Sequence, residues 1–405
     1  MSDAAHASAA RPLDGIRVVE LGSLIAGPFA AKTLADFGAE IIKIEPPGSG
    51  DPLRVWRAPE GETAVWWHVQ SRDKKSVAVD LRQPEGQDLV RRLIATADVL
   101  IENFRPGTLE GWGLGYEALA AVNPGLIMLR ISGYGQTGPL RDLPGFGVIA
   151  EAMGGLRHIT GMPGEPPVRP GVSIGDSLSA LHGVIGVLLA LYHRATRGGR
   201  GQVIDVALYE SVFNMMEGAV PEYDRYGLQR EPAGSALAGV APTNAYACSD
   251  GRYVLIAGNG DSIFRRLMSL IGRDDLGRDP ALVGNPARVR NVAKIDQAIG
   301  DWARTRTLDE ALAALAEAKV PAGKPYTVKD IVEDPHYQAR GMLQALELPD
   351  GSSLTVPGVV PKLSDTPGGF SGGGPELGAH TDAVLRAAGF DDAELQALRA
   401  RGVIA

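Results

Sequence analysis

Two features of the sequence stand out as candidates for chemistry, and the first is Asp176. It directly precedes a long apolar segment that predicts a helix from Ser177. As a helix N-cap, the Asp176 side chain would accept hydrogen bonds from first-turn amides and contribute about 1 kcal/mol. As a nucleophile, it would be favoured by the same position, because a helix N-terminus stabilises the anionic form that attacks. The local sequence alone favours the cap.

The second feature is the turn at residues 102–107, with the sequence ENFRPG, which follows a predicted strand. Ligands of open α/β sheets bind at the carboxyl ends of the strands. Phe104 offers a ring for a flat base, and Arg105 offers a planar guanidinium for a phosphate. Further positive charge lies at Arg72, Lys74, Lys75 and Arg82. By themselves, these residues fit a packed phenylalanine with solvated charges better than a nucleotide site.

No standard cofactor or metal motif accompanies the two features. Gly22 and Gly27 follow the first predicted strand without the G-x-G-x-x-G spacing, and the sequence has no P-loop or H-E-x-x-H motif. The seven histidines are scattered and Cys248 is the single cysteine, so we expect neither a metal site nor an internal disulfide. These absences argue against a dehydrogenase.

Composition limits the possible partners and location. The 405 residues include 40 Lys and Arg against 48 Asp and Glu, a formal net charge of −8 that argues against nucleic-acid binding. Residues 1–12 lack the apolar core of a secretory signal. The longest apolar stretch, residues 184–192, is roughly half a membrane span. We therefore expect a cytoplasmic protein that binds neither nucleic acid nor membrane.

Alternating strand-like and helix-like segments must position these residues. Strands are predicted at residues 16–21, 40–44, 99–102, 126–131 and 202–208, and helices at 28–37, 85–97, 116–122 and 177–194. Because single helices separate the strands, we expect parallel pairing with right-handed crossovers and therefore an α/β fold. A second group predicts a smaller α/β unit, with a strand at 252–257 and helices at 262–271 and 308–318.

Ordered matches along nearly the whole chain resemble the family III CoA-transferases, which include formyl-CoA transferase and carnitine CoA-transferase. The matches include GAEIIKIE at 38–45 and GSGD at 48–51. Others lie at residues 13–16, 26–28, 74–76, 98–107, 133–136, 175–176, 199–205, 377–378 and 380–381. One such segment would be weak evidence, whereas this many in order are strong evidence.

The resemblance implies a Rossmann-like large α/β domain, a smaller α/β domain, and a homodimer whose chains interlink as two rings. We place the first part of the large CoA-binding domain at residues 1–217. The linker and small domain follow at 218–325, and a return segment at 326–405 completes the large domain. Coenzyme A, bound as an acyl-CoA substrate, is implied, and no metal.

In that family, the aspartate at the position of Asp176 attacks the acyl-CoA thioester. A mixed anhydride forms, the released thiolate converts it to an aspartyl-CoA thioester, and the acceptor carboxylate completes the exchange. A carboxylate with a reference pKa of about 3.9 is already ionised at neutral pH, so no general base is required. The anhydride must be shielded from water, which calls for a lid. The family's tetraglycine lid is missing, and residues 234–239 take its place.

Matching the family's CoA contacts implies roles for Asn103 and Phe104, and less directly for Arg82, Ser132 and Leu208. Arg105 stands where formyl-CoA transferase has glycine, so its phosphate-binding role, like that of Lys75, is inferred from charge.

The acyl-binding residues differ from those of formyl-CoA transferase. Ile25 replaces the family's glutamine in the first loop, which argues against formyl-CoA and oxalate. Residues 158–161 and 167–171 are similar to the succinyl-CoA-dependent dicarboxylate transferases. Arg169 could bind a second substrate carboxylate bidentately or form a salt bridge only. Phe146 could line an apolar wall or belong to the core.

The α-methylacyl-CoA racemases are the alternative within the family, and they require a proton-transferring His-Asp pair. They carry Gly-His-Asp where this chain has Gly-Phe-Gly at residues 145–147, and neither His158 nor His182 matches that motif. A catalytically silent CoA-binding protein is a third possibility. The expected enzyme is a CoA-transferase that acts on C4–C6 dicarboxylates, with succinyl-CoA as a candidate donor.

Overall fold

Six parallel strands form the main sheet of the protein, whose computed structural model describes residues 10–59 and 61–405. The strands are β1 (Arg17–Glu20), β2 (Glu40–Glu45), β3 (Lys74–Ala78), β4 (Val99–Glu102), β5 (Ile127–Ser132) and β6 (Val203–Ala207). Their order is β3-β2-β1-β4-β5-β6, and every neighbouring pair is parallel. The order reverses between β1 and β4, as in a doubly wound sheet, which confirms the predicted Rossmann-like α/β class.

Helices connect and flank these strands. The first in chain order are α1 (Ala26–Ala35), α2 (Val65–Gln70), α3 (Pro84–Ile94), α4 (Thr108–Gly111), α5 (Tyr116–Val122), α6 (Gly147–Met153), α7 (Leu156–Ile159), α8 (Ile174–Arg197), α9 (Leu208–Phe213) and α10 (Ala219–Tyr226). They are followed by α11 (Asp261–Leu270), α12 (Asp274–Gly277), α13 (Asn285–Arg290), α14 (Val292–Ala303), α15 (Leu308–Glu317), α16 (Val328–Glu333), α17 (Pro335–Ala339), α18 (Thr381–Ala387) and α19 (Asp392–Ala400). Short 3-10 turns lie at Pro52–Arg54, Asn214–Met216 and Pro280–Leu282.

The described residues form two compact units. Unit 1 runs to Gly155 and includes Pro170–Met216 and His336–Ala405, whereas unit 2 consists of Leu156–Arg169 and Glu217–Pro335. The domain boundaries that the sequence placed at residues 217 and 325 stay a prediction.

Unit 1 buries two apolar cores, one on each face of the main sheet, because successive strand residues point to opposite faces. Val18 belongs to the core that α1 and α8 cover, and Val19 belongs to the core that α3, α18 and α19 cover. Unit 1 also contains an antiparallel hairpin of β10 (Leu343–Glu347) and β11 (Ser353–Pro357). Helices on both faces leave the strand ends as the accessible edge of the sheet.

Unit 2 contains a small antiparallel sheet. Its strands are β7 (Thr243–Ala247), β8 (Tyr253–Ala257) and β9 (Ala322–Gly323), in that order. Residues of α11, α14 and α15 pack with β7 and β8 in one apolar core that includes Cys248. This arrangement confirms the expected smaller α/β unit.

Helix α8 begins earlier than predicted, and this corrects the role of Asp176 as a cap. The helix starts at Ile174, its N-cap residue is Ser173, and Asp176 is the third helical residue. By length and composition α8 is apolar enough to span a membrane, a test that core helices of soluble proteins also pass. Its buried face consists of small residues, namely Gly175, Ser179, Ala180, Gly183, Val184, Val187 and Ala190.

The larger apolar residues of α8 face outward. The stripe that predicts the helix includes Ile185, Leu189 and Tyr192, which are 53%, 65% and 71% exposed. The small residues let the helix backbone approach β5 and β6 closely. A Cβ atom at Gly183 would lie 2.8 Å from the Leu129 side chain.

We expect Gly183→Val to destabilise the folded protein by about 1–3 kcal/mol, because overpacking forces neighbouring groups to shift. Intrinsic helix propensity alone would favour valine over glycine slightly, so a loss of stability reports the close packing. Urea unfolding followed by circular dichroism measures the change. Ala195→Val places the same side chain at an exposed position of α8, and equal stabilities for the two variants would contradict the prediction.

Candidate active site

A cleft opens at the carboxyl ends of β1, β2, β3 and β4, next to the point where the strand order reverses. It has a volume of about 410 Å³, and its lining includes Gly22, Ser23, Asp51, Arg82, Phe104 and Trp112. The Phe104 and Trp112 rings meet edge to face, with centroids 5.3 Å apart. Open α/β sheets bind ligands in such a place, and the two rings provide an apolar wall for a flat group.

Of the expected CoA contacts, Phe104 and Arg82 lie in this cleft. The Arg82 side chain is 82% exposed, and its Nε and Nη2 donate to Asp80 at 2.8 and 3.0 Å. These hydrogen bonds lower the pKa of Asp80 to about 2. Arg105 is exposed on the turn after β4. Both guanidinium groups are therefore accessible to an anionic ligand.

Asn103 has a role that the sequence did not reveal. Its Oδ1 accepts a hydrogen bond from the Ser23 N–H and its Nδ2 donates to the Ser23 carbonyl oxygen, both at 2.9 Å. Asn103 thereby joins the turn after β4 to the loop after β1. Only the tertiary structure shows this pairing, because 80 residues separate the two partners.

The remaining expected CoA contacts lie elsewhere in unit 1. Lys75 lines a separate small cavity with Arg17, Glu40 and His380, and its ammonium pairs with Glu40. Ser132, at the end of β5, is buried, and its Oγ accepts a hydrogen bond from the Gly135 N–H at 3.0 Å. Leu208 begins α9 and is 5% exposed, within the core that α8 covers. The structure does not bring these three residues into the cleft.

The expected substrate residues differ in exposure. Ile25 is 5% exposed, and Phe146, just before α6, is 67% exposed. Arg169 is exposed in unit 2.

The carboxylate of Asp176 lies against the first residue of α6. A Cβ atom at Gly147 would clash with the Asp176 Oδ2, and a Cβ atom at Gly175 would lie 3.1 Å from the Gly147 carbonyl oxygen. Asp176 is half-buried in the first turn of α8. The N-terminus of this 24-residue helix favours the charged form of the carboxylate. Glycine at 147 therefore provides the space that the Asp176 side chain occupies.

The histidines considered for proton transfer are placed differently. His158 lies in unit 2, with its Nε2 3.5 Å from Glu231. His182 follows Asp176 by six residues, or ~9 Å along a helix. Among residues 10–59 and 61–405, no group of three or more His, Cys, Asp and Glu side chains is placed to hold a metal ion.

Comparison with known protein families decides which family the chain belongs to. Residues 13–381 match the sequence model of the family described as CoA-transferase family III. The chain belongs to this family. It is an enzyme whose class transfers CoA between thioesters and carboxylates, which confirms the resemblance seen in the sequence.

Relatives of this CoA-transferase act on dicarboxylates. A succinyl-CoA–D-citramalate CoA-transferase of Chloroflexus aurantiacus is 49% identical over 397 residues, covering 97% of this chain and 98% of the relative. A succinyl-CoA–L-malate CoA-transferase beta subunit from the same organism is 44% identical over 399 residues, with coverage of 97% and 98%. The crystal structure of a CAIB/BAIF family protein from Brucella suis superimposes with a TM-score of 0.82 at 37% identity, covering 94% of this chain and all of that one.

A buried carboxylate supports the cleft wall of this CoA-transferase. Glu102, at the end of β4, accepts hydrogen bonds from the Phe104 N–H and from Arg130 Nε, both at 2.7 Å. Arg130 also donates to Glu110. Burial raises the pKa of Glu102 to about 7, although the Arg130 and Phe104 hydrogen bonds oppose this. Glu102 therefore holds the turn that presents Phe104.

We expect Glu102→Gln to change how stability depends on pH. Between pH 4.5 and about 7, folded Glu102 binds more protons than the unfolded chain does, so this group lowers the free energy of unfolding as pH rises through that window. The variant lacks this titration. The stability of Glu102→Gln minus that of the wild type should therefore increase from about pH 5 to about pH 7.5, as measured by urea unfolding.

Glu117→Gln, at an exposed position of α5, is the matched control, and its stability curve should run parallel to that of the wild type. Parallel stability curves for the wild type and Glu102→Gln would contradict the assigned pKa.

Proposed function

We propose that this enzyme transfers CoA from succinyl-CoA to a C4–C6 dicarboxylate through covalent intermediates on Asp176. The observation that carries the proposal is the Asp176 carboxyl group in the first turn of α8, with space provided by Gly147. The relatives support the choice of donor and acceptor, because their names specify succinyl-CoA with citramalate or malate.

The reaction proceeds by acyl exchange at one carboxylate. An Asp176 oxygen attacks the thioester carbonyl carbon, the carbon–sulfur bond breaks, and the CoA thiolate leaves a mixed anhydride. The thiolate attacks the aspartyl carbonyl, releases succinate and forms an aspartyl-CoA thioester. The acceptor carboxylate attacks this thioester, and the returning thiolate takes the acceptor acyl group and regenerates Asp176. No net proton is consumed, so the site requires an ionised aspartate rather than a general base.

We assign the nucleotide part of CoA to the cleft of unit 1. The Phe104 and Trp112 rings would contact the adenine, and Arg82 and Arg105 would bind phosphates. Asn103 supports this site through Ser23. Lys75, Ser132 and Leu208 lie outside the cleft and have no direct part in this assignment.

For the acyl group, we propose that Arg169 binds the second carboxylate of the dicarboxylate and that Phe146 provides an apolar surface. Ile25 is buried, and we propose that its packing supports the loop between β1 and α1. We propose residues 234–239 as the lid that excludes water from the anhydride. They belong to unit 2, and Gly234 and Gly239 have positive φ angles.

We further propose that the enzyme is a cytoplasmic homodimer with interlinked chains and no nucleic-acid or membrane partner. The exposed apolar stripe of α8 supports association, because exposed apolar patches mark interaction sites. The net charge of −8 argues against nucleic acid.

Replacement of the proposed nucleophile tests the mechanism directly. Asp176→Ala should lower the kcat for CoA transfer from succinyl-CoA to citramalate or malate by a factor of about 10³ or more, since no other group forms the anhydride. Mass spectrometry of new thioesters measures the transfer. Hydroxylamine added during wild-type turnover should convert residue 176 to a hydroxamate.

Asp224→Ala removes an exposed aspartate of unit 2 and is the control that should retain activity. Full activity of Asp176→Ala would refute the nucleophile. Deuterium uptake at the α-carbon of a branched acyl-CoA, without an acceptor acid, would instead support an isomerase.

The α8 stripe predicts the oligomeric state. Wild-type enzyme should sediment as a dimer, and Ile185→Glu combined with Leu189→Glu should reduce the dimer fraction, because burying two carboxylates in an apolar interface is costly. Analytical ultracentrifugation measures the masses. Lys329→Glu, on an exposed position of α16, should remain dimeric. A wild-type monomer would contradict the prediction.

A further inference from the structure

The loop at residues 22–25, between β1 and α1, is held by side chains from four other segments. Lys43 Nζ donates to the Gly22 carbonyl oxygen at 2.8 Å. Asn103 binds both the N–H and the carbonyl group of Ser23. Loops normally leave such groups to water, so this loop has an unusually fixed backbone.

Side chains from distant segments also bind the backbone groups of Leu24 and Ile25. The Leu24 N–H donates to the Asp51 carboxylate, with distances of 3.0 and 3.3 Å to its two oxygens. Gln70 Nε2 donates to the Ile25 carbonyl oxygen at 3.1 Å.

Leu24 adopts a backbone conformation that leucine disfavours. Its φ angle is +63°, in the left-handed region that glycine enters readily and that side chains with a Cβ atom rarely adopt. Such a conformation persists only where the surroundings enforce it. The hydrogen bond from the Leu24 N–H to Asp51 is the direct restraint at this position.

Asp51 is itself oriented by buried charge. Its Oδ2 lies 2.8 Å from Lys43 Nζ, and its Oδ1 also accepts a hydrogen bond from the Leu53 N–H at 2.9 Å. The side chains of Asp51 and Lys43 are each 1% exposed. Lys43 therefore binds the loop twice, directly at Gly22 and through Asp51 at Leu24.

We propose that Asp51 is a positioning residue for CoA binding, which holds Leu24 in the left-handed conformation and thereby fixes residues 22–25 against the cleft. The inference rests on the proposed assignment of the CoA nucleotide to this cleft, where Gly22 and Ser23 are lining residues. Asp51 also borders the cleft, but its side chain is only 1% exposed, so it acts through the loop and does not take part in the acyl exchange. Loss of the restraint should weaken binding of the CoA part of donor and product equally, which raises KM and leaves kcat nearly unchanged.

Two single variants loosen the loop in different ways, one by weakening the restraint and the other by changing the backbone preference of residue 24. Asp51→Asn keeps an acceptor but loses the ionic attraction to Lys43, and we expect it to raise the KM for succinyl-CoA about tenfold, with kcat changed less than about threefold. Leu24→Val leaves every charge in place but disfavours the left-handed conformation further, because valine is β-branched. It should raise the KM similarly. Leu228→Val, an exposed leucine of unit 2, is the control and should match the wild type.

A double-mutant cycle separates positioning from general destabilisation. In a Leu24→Gly background the left-handed conformation carries little strain, so Asp51→Asn should raise the KM by only about threefold or less, and the two effects should not be additive. Equal KM increases in both backgrounds would overturn the proposal, as would a loss of kcat without a change in KM.

Calorimetric binding of free CoA distinguishes failure of the inference from failure of the assigned site. Phe104→Ala should weaken CoA binding, because its ring lines the cleft. Unchanged affinity in Phe104→Ala would overturn the placement of CoA and the inference with it. Weakened affinity in Phe104→Ala together with wild-type affinity in Asp51→Asn would overturn the positioning role alone.

Discussion

The loop that borders the cleft is held in place by the contacts of the buried Lys43 ammonium group. It lies 2.9 Å from Glu20 and 2.8 Å from Asp51, and all three side chains are at most 1% exposed. A charge buried so completely is tolerated only with well-placed partners. The opposing carboxylates raise the pKa of Lys43, although burial acts against them. The loop that borders the cleft is therefore anchored to a buried lysine that lies between two carboxylates.

Other cationic side chains near Lys43 are also paired with buried carboxylates. Because of this pairing, few cations of the cleft region remain for a ligand. Lys74 Nζ lies 2.7 Å from Glu20, and Arg54 donates to both oxygens of Glu45 at 2.8 Å. These cations neutralise carboxylates within the sheet. The guanidinium group of Arg82 stays exposed while it pairs with Asp80, so it is accessible for the proposed phosphate contact.

The two faces of helix α8 carry different kinds of residue, small ones toward the sheet and larger apolar ones toward the outside. Small residues such as Gly183 allow it to pack closely on the sheet, and larger apolar residues such as Leu189 remain exposed. Its first turn carries Asp176 beside Gly147. Close packing of α8 against the main sheet thus also fixes the position of the Asp176 carboxylate, because a packed helix holds its own first turn in place.

The sequence by itself determined the parallel α/β class, the bounds of β4 and α5, and the family, because hydrophobic periodicity and ordered local motifs are properties of contiguous residues. It also offered Phe104 as a contact for a flat base, and the structure places this residue in the lining of the cleft. It missed β3, whose Lys74 and Lys75 make the segment polar, because only the fold supplies the carboxylate that pairs with buried Lys74.

Tertiary structure alone decided the roles that depend on distant partners. Asn103 binds Ser23 and Asp51 binds Leu24, and neither pair shares a sequence signal. The start of α8 at Ile174 shows that Asp176 is not a cap, and the structure places Lys75 outside the cleft, paired with Glu40. The local sequence predicts which secondary structure a segment forms. The partner of a side chain depends instead on which distant segments the fold brings together.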